Sequence, residues 1–169
     1  MGTSKRDQEL ARKAKAKGAD YSLRIVMEAR RADIPVSLAF AVVEQESGFQ
    51  NIFGHDPTIF VGAGKVTKAK YLDYKHARGT PGRRMQGVGP VQLTWWTFQD
   101  RADALGGCWI ARNNIRVGFD HLGDLLRQYK GSMRSALAVY NAGNTGSAQG
   151  QRYASEVLKR QRRWHHDLT

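Results

Sequence analysis

One glutamate stands where a carboxyl group could act as an acid. Glu46 closes an apolar segment, and Ser47 and Gly48 follow it directly. A carboxyl group beside an apolar face loses part of its hydration, and at the C-terminal end of a helix it also meets the negative pole of the helix dipole. Both effects predict a raised pKa, so the group would keep its proton near neutral pH and donate it to a leaving oxygen. The alternative is a solvated glutamate on a last helical turn.

The element that must position this carboxyl group is a helix over residues 35–47. Pro35 suits a first helical turn, and Gly48 tolerates the left-handed conformation that ends a helix. Glu46 continues a stripe with helical spacing, whose other members are Ala39, Val42 and Val43. Glu44 points away from this stripe.

Two further segments accompany the glutamate in a fixed order. Glu-Ser-Gly-Phe at 46–49 is followed by Gly-Val-Gly-Pro-Val-Gln-Leu-Thr at 87–94, by Ala-Val-Tyr-Asn-Ala-Gly at 138–143 and by Tyr153. This order resembles the lysozyme-like domain shared by soluble lytic transglycosylases and goose-type lysozymes, and it looks closest to the catalytic domains of actinobacteriophage endolysins. The resemblance spans about residues 35–160.

The resemblance implies a fold and a set of roles. The fold is mainly α, or α+β lysozyme-like, with a helical bundle-like main lobe and a small irregular or β-hairpin flap beside the catalytic helix. Glu46 corresponds to the catalytic acid, and Tyr153 to a tyrosine that reaches back toward it. The residues that the resemblance implies in the sugar cleft are Gln92, Tyr140 and Asn141, and Tyr153 and Ser47 are further candidates for substrate binding.

The second carboxylate of the family is in question. Goose-type lysozymes carry an aspartate just after the glutamine, where this chain has Thr94. Asp56 follows Glu46 by ten residues, so it is a second catalytic candidate that would position or activate water. The alternative for Asp56 is a turn residue before Pro57. His55 is a further candidate for substrate binding, or a simple turn histidine.

Two adjacent tryptophans follow the glutamine segment. Trp95 is a candidate sugar-binding residue, because its flat apolar face suits a sugar ring and its N–H can bind a hydroxyl. The competing interpretation is that at least one of Trp95 and Trp96 belongs to the core. Thr94 is a candidate cap for the helix that begins there.

The chain reads as one domain over residues 1–169, with a basic N-terminal helix or extension at 1–17. Helices are predicted at 6–17, 20–32, 35–47, 67–77, 94–105, 113–130, 133–142 and 150–164. Residues 51–66 contain glycines and short apolar pairs, which fits a small hairpin or an irregular lobe. Cys108 is the only cysteine and is expected to be a buried packing group.

The formal net charge of +12 predicts attraction to polyanions. Either nucleic acid or the anionic polymers of a bacterial wall would fit, and the sequence lacks zinc-finger spacing, RNA-binding aromatic motifs and a basic region joined to heptads. The five histidines show no metal-ligand spacing, so we expect neither a metal nor a cofactor. The sequence has no apolar run of membrane length and no apolar secretory segment, so we expect synthesis in a host cytoplasm and action on the wall after release. We also expect a monomer.

These features lead to one hypothesis and two alternatives. The hypothesis is a phage endolysin of the lysozyme type, which cleaves the β-1,4 bond between N-acetylmuramic acid and N-acetylglucosamine in peptidoglycan. The first alternative is a lytic transglycosylase that forms 1,6-anhydro products. The second is a basic helical module that binds nucleic acid.

Overall fold

A computed structural model of the chain describes residues 3–54, 64–80 and 85–169. The described part is mainly helical, which confirms the predicted fold class. Its helices are α1 Lys5–Ala16, α2 Ser22–Arg31, α3 Val36–Ser47, α4 Lys68–Ala77, α5 Trp96–Ala104, α6 Ala111–Gln128, α7 Met133–Ala142 and α8 Ala148–Leu168.

Each predicted helix is present, with ends displaced by a few residues. Ser132 caps α7 through a bond from the Ser135 amide, and Gly143 ends that helix with a φ of 76°. The prediction that Thr94 caps α5 was wrong. The helix begins after Trp95 without a side-chain cap, and the Thr94 hydroxyl donates to the Gln92 carbonyl oxygen at 3.1 Å instead.

The chain divides into two compact units, Met1–Gln45 with Phe119–Thr169 and Glu46–Gly118. In the first unit α1 packs against α2 and α8, and α7 packs against α8. Gly150 allows the close approach of α8 to α7, because a Cβ there would lie 2.7 Å from the Ala138 carbonyl oxygen. The Phe40 and Trp164 rings stack at 5.0 Å within this unit.

The second unit contains a small β element instead of a full sheet. Among the described residues, antiparallel bridges join Ile52 to Lys65, Phe53 to Val88 and Val88 to Leu93. Residues 51–54 therefore pair on one side with 64–66 and on the other with 87–89. This pairing matches the predicted hairpin or irregular lobe at its two described ends.

An aromatic cluster supports this β element. The Phe53 ring meets Tyr74 edge-on at 5.9 Å, and Tyr71 lies 6.1 Å from Tyr74 and 5.8 Å from Trp109. Burial raises the pKa of the Tyr71 phenol, whose hydroxyl donates to Asp103 at 2.9 Å. Cys108 is buried as predicted, and this burial raises the pKa of its thiol to about 12.

The 87–93 loop lies against α6 through one buried amide side chain. Asn114 accepts a hydrogen bond from the Val91 amide at 3.1 Å and donates to the Val88 carbonyl oxygen at 2.7 Å. Gly89, with a φ of 82°, lies between these two bonds, and a Cβ at Gly89 would be only 2.4 Å from the Asn114 amide. The glycine is therefore needed both for its backbone conformation and for space.

We expect Gly89→Ala to destabilise the protein more than Gly131→Ala does. Gly131 has a nearly identical φ of 83° but no atom within 4 Å of its Cβ position. Gly131→Ala should therefore lower the free energy of unfolding only by the backbone term of about 1–2 kcal/mol, whereas Gly89→Ala adds an overpacking term of about 1–3 kcal/mol. Denaturant unfolding of both variants measures the difference, and equal losses would contradict the described contact with Asn114.

Candidate active site

Glu46 lies at the end of α3, as the sequence predicts. The side chains of Ala39, Val42 and Val43 are fully buried along the stripe that leads to it, and Glu46 itself is only partly exposed. Gly48 then adopts a φ of 60° and ends the helix. The helix therefore places the Glu46 carboxyl group at the end of a buried apolar stripe.

Glu44, two residues earlier, serves a different purpose. Its carboxylate pairs with Arg163 and Arg160 on α8 and accepts a bond from the Trp164 indole at 2.8 Å. These contacts hold α3 to α8 within the first unit. They also confirm that Glu44 points away from the Glu46 stripe.

Ser47 connects the end of α3 to the 87–93 loop. Its buried hydroxyl donates to the Pro90 carbonyl oxygen at 2.8 Å and accepts from the Gln50 amide at 3.2 Å. Ser47 was a candidate for sugar binding, and in the structure its hydroxyl is committed to these backbone partners. The residue beside Glu46 is thereby fixed to the glycine-rich loop.

Gln92 is also committed to the backbone around it. Its backbone is in the left-handed region, with a φ of 51°. Its side-chain Nε2 donates to the carbonyl oxygens of Ile52 at 3.0 Å and Gly89 at 2.9 Å. The structure therefore places Gln92 in the same unit as Glu46, with its amide directed at the segment that follows α3.

Two buried amides in this unit escaped the sequence analysis. Asn114 holds the 87–93 loop from α6, and Gln99 on α5 donates to the carbonyl oxygens of Gln86 at 3.0 Å and Leu93 at 2.9 Å. Asn114 stands four residues before Gly118 and eight before Leu122, which puts a polar amide on the apolar stripe of α6. A polar residue within an apolar repeat was the sequence signal that could have identified Asn114.

The tryptophan pair does not contribute to the core, so that expectation was wrong. Trp95 is 62% exposed and Trp96 is 37% exposed. The interior position on α5 is taken by Gln99, which is fully buried. The Trp96 ring instead covers Gly79, with the Arg78 guanidinium 5.6 Å from the ring centroid. Trp95 projects from the extended residue before α5 and presents its indole to solvent.

The remaining described candidates belong to the first unit. Tyr140 on α7 stacks with Tyr153 on α8, with 6.4 Å between ring centroids, and with His121 on α6 at 5.6 Å. Asn141 is exposed and its Oδ1 accepts a bond from Gln149 at 3.4 Å. The structure thus brings Tyr140 and Tyr153 together and adds His121, a residue that the sequence did not single out.

His55 and Asp56 lie outside the described residues, so their proposed roles remain predictions. No group of three metal-ligating side chains is found in 3–54, 64–80 and 85–169. Within the same ranges, no helix has the length and apolar character needed to cross a bilayer.

Comparison with solved structures identifies the fold. The X-ray structure of an inactive glutamate-to-glutamine mutant of the lytic transglycosylase Slt from Pseudomonas aeruginosa is similar, with a TM-score of 0.59 and 18% sequence identity. The match covers 88% of this chain and 24% of that chain, so this chain spans about a quarter of the transglycosylase's length. No family model and no curated protein matches the sequence. The chain therefore has a mainly α, lysozyme-like fold.

Proposed function

We propose that this protein cleaves the glycan strands of peptidoglycan, with Glu46 as the general acid. The observation that carries the proposal is the partly exposed carboxyl group at the end of a buried apolar stripe, in a chain whose fold is that of part of a lytic transglycosylase. A carboxyl group in such a place can stay protonated and still reach a ligand. The sequence-based prediction of a raised Glu46 pKa is part of this proposal.

The chemistry begins with one proton transfer. Glu46 donates its proton to the oxygen that bridges N-acetylmuramic acid and N-acetylglucosamine. The bond from muramic C1 to that oxygen breaks, its electron pair stays with the oxygen, and positive charge develops at C1. The N-acetylglucosamine end leaves as an alcohol, and Glu46 is left as a carboxylate.

Two nucleophiles can complete the reaction. In hydrolysis, water attacks C1 and its proton passes to a carboxylate, a role we propose for Asp56. In transglycosylation, the substrate's own C6 hydroxyl attacks C1, returns its proton to Glu46 and forms a 1,6-anhydro ring. Hydrolysis is our first proposal, and the fold shared with a lytic transglycosylase supports the second.

We propose substrate contacts for several aromatic and polar side chains. Trp95 offers an open indole face to a sugar ring. By the resemblance, Tyr140 and Asn141 bind sugar hydroxyl or acetamido groups, and we propose His55 as a further hydrogen-bonding residue. Tyr153 supports Tyr140 through the ring stack.

The basic surface of the first unit fits the anionic polymers of a bacterial wall. Its exposed cations on α1 and α8, two helices that pack together, include Lys5, Arg6, Lys15, Lys159 and Arg162. A field of this sign concentrates the enzyme on a polyanion, and the attraction weakens with salt. We further propose that the protein is of the phage endolysin type and reaches the wall after its synthesis in the host.

We predict that Glu46→Gln lowers the rate of peptidoglycan cleavage by about a hundredfold or more, because the amide keeps the shape but cannot donate the acid proton. The measurement is the release of soluble fragments from purified peptidoglycan, with unfolding followed in parallel to show that the variant is folded.

Glu44→Gln is the matched control for this substitution. It makes the same change of carboxyl to amide two residues away on the same helix, but the partners of Glu44 are Arg163, Arg160 and Trp164. We expect wild-type activity and a loss of stability below about 1 kcal/mol, because these ion pairs are partly exposed. Full activity in Glu46→Gln would refute the assignment of the acid.

We predict that Trp95→Ala weakens binding of a tetramer of N-acetylglucosamine by about three- to tenfold, as expected for the loss of one stacking face. The free energy of unfolding should change by less than about 0.5 kcal/mol, because the side chain is exposed. Leu72→Ala is the control, since Leu72 is also exposed, at 45%, and lies in the same unit. Unchanged sugar binding in Trp95→Ala would remove Trp95 from the site.

A further inference from the structure

We infer that Gln92 is a positioning residue that locks the 87–93 loop to the segment after Glu46, and that it does not bind the sugar. This inference rests on the proposed function, and it changes the role that the resemblance gives to Gln92. The motif Gly-Val-Gly-Pro-Val-Gln-Leu then serves to hold the loop in one conformation through hydrogen bonds, instead of binding a ligand.

The side-chain amide of Gln92 is occupied by the protein's own backbone. Both of its N–H groups are matched by carbonyl oxygens, those of Ile52 and Gly89. Gln92 as a whole is partly exposed, and its Oε1 lies against two glycines: a Cβ at Gly54 would be 2.7 Å from Oε1, and one at Gly87 would be 2.5 Å from it. The glycines on both sides therefore create the space that this amide fills.

The backbone of the loop is equally committed. The carbonyl oxygens of six loop residues accept hydrogen bonds from backbone amides or side chains. Backbone amides donate to Gly87 (from Gly54), Val88 (from Leu93), Gly89 (from Gln92) and Leu93 (from Val88). Side chains donate to Val88 (from Asn114), Gly89 (from Gln92), Pro90 (from Ser47), Gln92 (from Thr94) and Leu93 (from Gln99). A loop in which most carbonyl oxygens already accept hydrogen bonds is a frame, because sugar hydroxyls that bind to those oxygens would have to displace existing bonds.

This frame is connected at one point to α3 and at a second point to the segment that follows α3. Pro90 accepts the hydrogen bond of Ser47, the residue after Glu46. Ile52 accepts bonds both from Gln92 and from the Gly89 amide at 2.9 Å, and it lies six residues after Glu46. A change in Gln92 would therefore reach the Glu46 carboxyl group through the loop, in the absence of any substrate.

The test compares Gln92→Glu with the wild type in the substrate-free protein. Glutamate has the same size as glutamine and keeps Oε1, but a carboxylate oxygen replaces the donating Nε2 and would face the carbonyl oxygens of Ile52 and Gly89. We expect amide hydrogen exchange in 87–93 and 51–54 to accelerate by about tenfold or more, with exchange in α2 and α7 unchanged. Gln128→Glu, an exposed substitution at the end of α6, is the control and should leave exchange as in the wild type.

The catalytic readout separates positioning from sugar binding. We expect Gln92→Glu to lower kcat on purified peptidoglycan by about tenfold or more and to shift its pH profile, while the affinity for the N-acetylglucosamine tetramer stays within about twofold of the wild type. Unchanged exchange together with weakened tetramer binding would overturn the inference and restore Gln92 as a sugar ligand.

Failure of the proposed function would look different. A wild-type protein that is inactive on peptidoglycan would refute the enzyme assignment, whereas the exchange measurement would still decide whether Gln92 locks the loop. If Gln92→Glu does not fold, Gln92→Asn replaces it: asparagine tolerates the left-handed backbone but is too short to reach both carbonyl groups. Wild-type exchange and kcat in Gln92→Asn would equally overturn the inference.

Discussion

The structure of the second unit depends on how the backbone of the 87–93 loop satisfies its polar groups. A buried carbonyl or amide without a partner is costly, so a glycine-rich loop that lies within the fold needs donors and acceptors from its surroundings. Ser47, Gln92 and Asn114 supply them from α3, from the loop itself and from α6. The hydrogen bond from Ser47 to Pro90 has the largest consequence, because it ties the residue beside Glu46 to this frame.

Helical periodicity was sufficient to predict most of the fold. The stripe of Ala39, Val42 and Val43 is buried and Gly48 ends α3, both as expected, and Ser132 and Gly143 begin and end α7 in the same local way. Such features are local, because a cap or an apolar repeat is determined by residues within one or two turns. The same locality explains why Glu46 could be placed at a helix end from sequence alone.

The buried polar contacts could not be predicted in the same way. The partners of Asn114 and Gln92 are backbone groups, which look identical at every position of a sequence. The tryptophan pair was misjudged for a related reason. Hydrophobicity suggested that one of the two belongs to the core, but the buried position is occupied by Gln99, whose amide donates to backbone carbonyl oxygens. Size and hydrophobicity therefore gave the wrong answer where hydrogen-bonding demand decided the packing.

We propose that a carboxyl group at the end of α3 initiates the cleavage of glycan strands. Mass spectrometry of the products from purified peptidoglycan tests this most directly. We expect fragments that end in muramic acid, with a reducing end if water completes the reaction or lighter by the mass of one water if the substrate's own hydroxyl does. Intact glycan strands with severed peptide stems, or no soluble products at all, would contradict it.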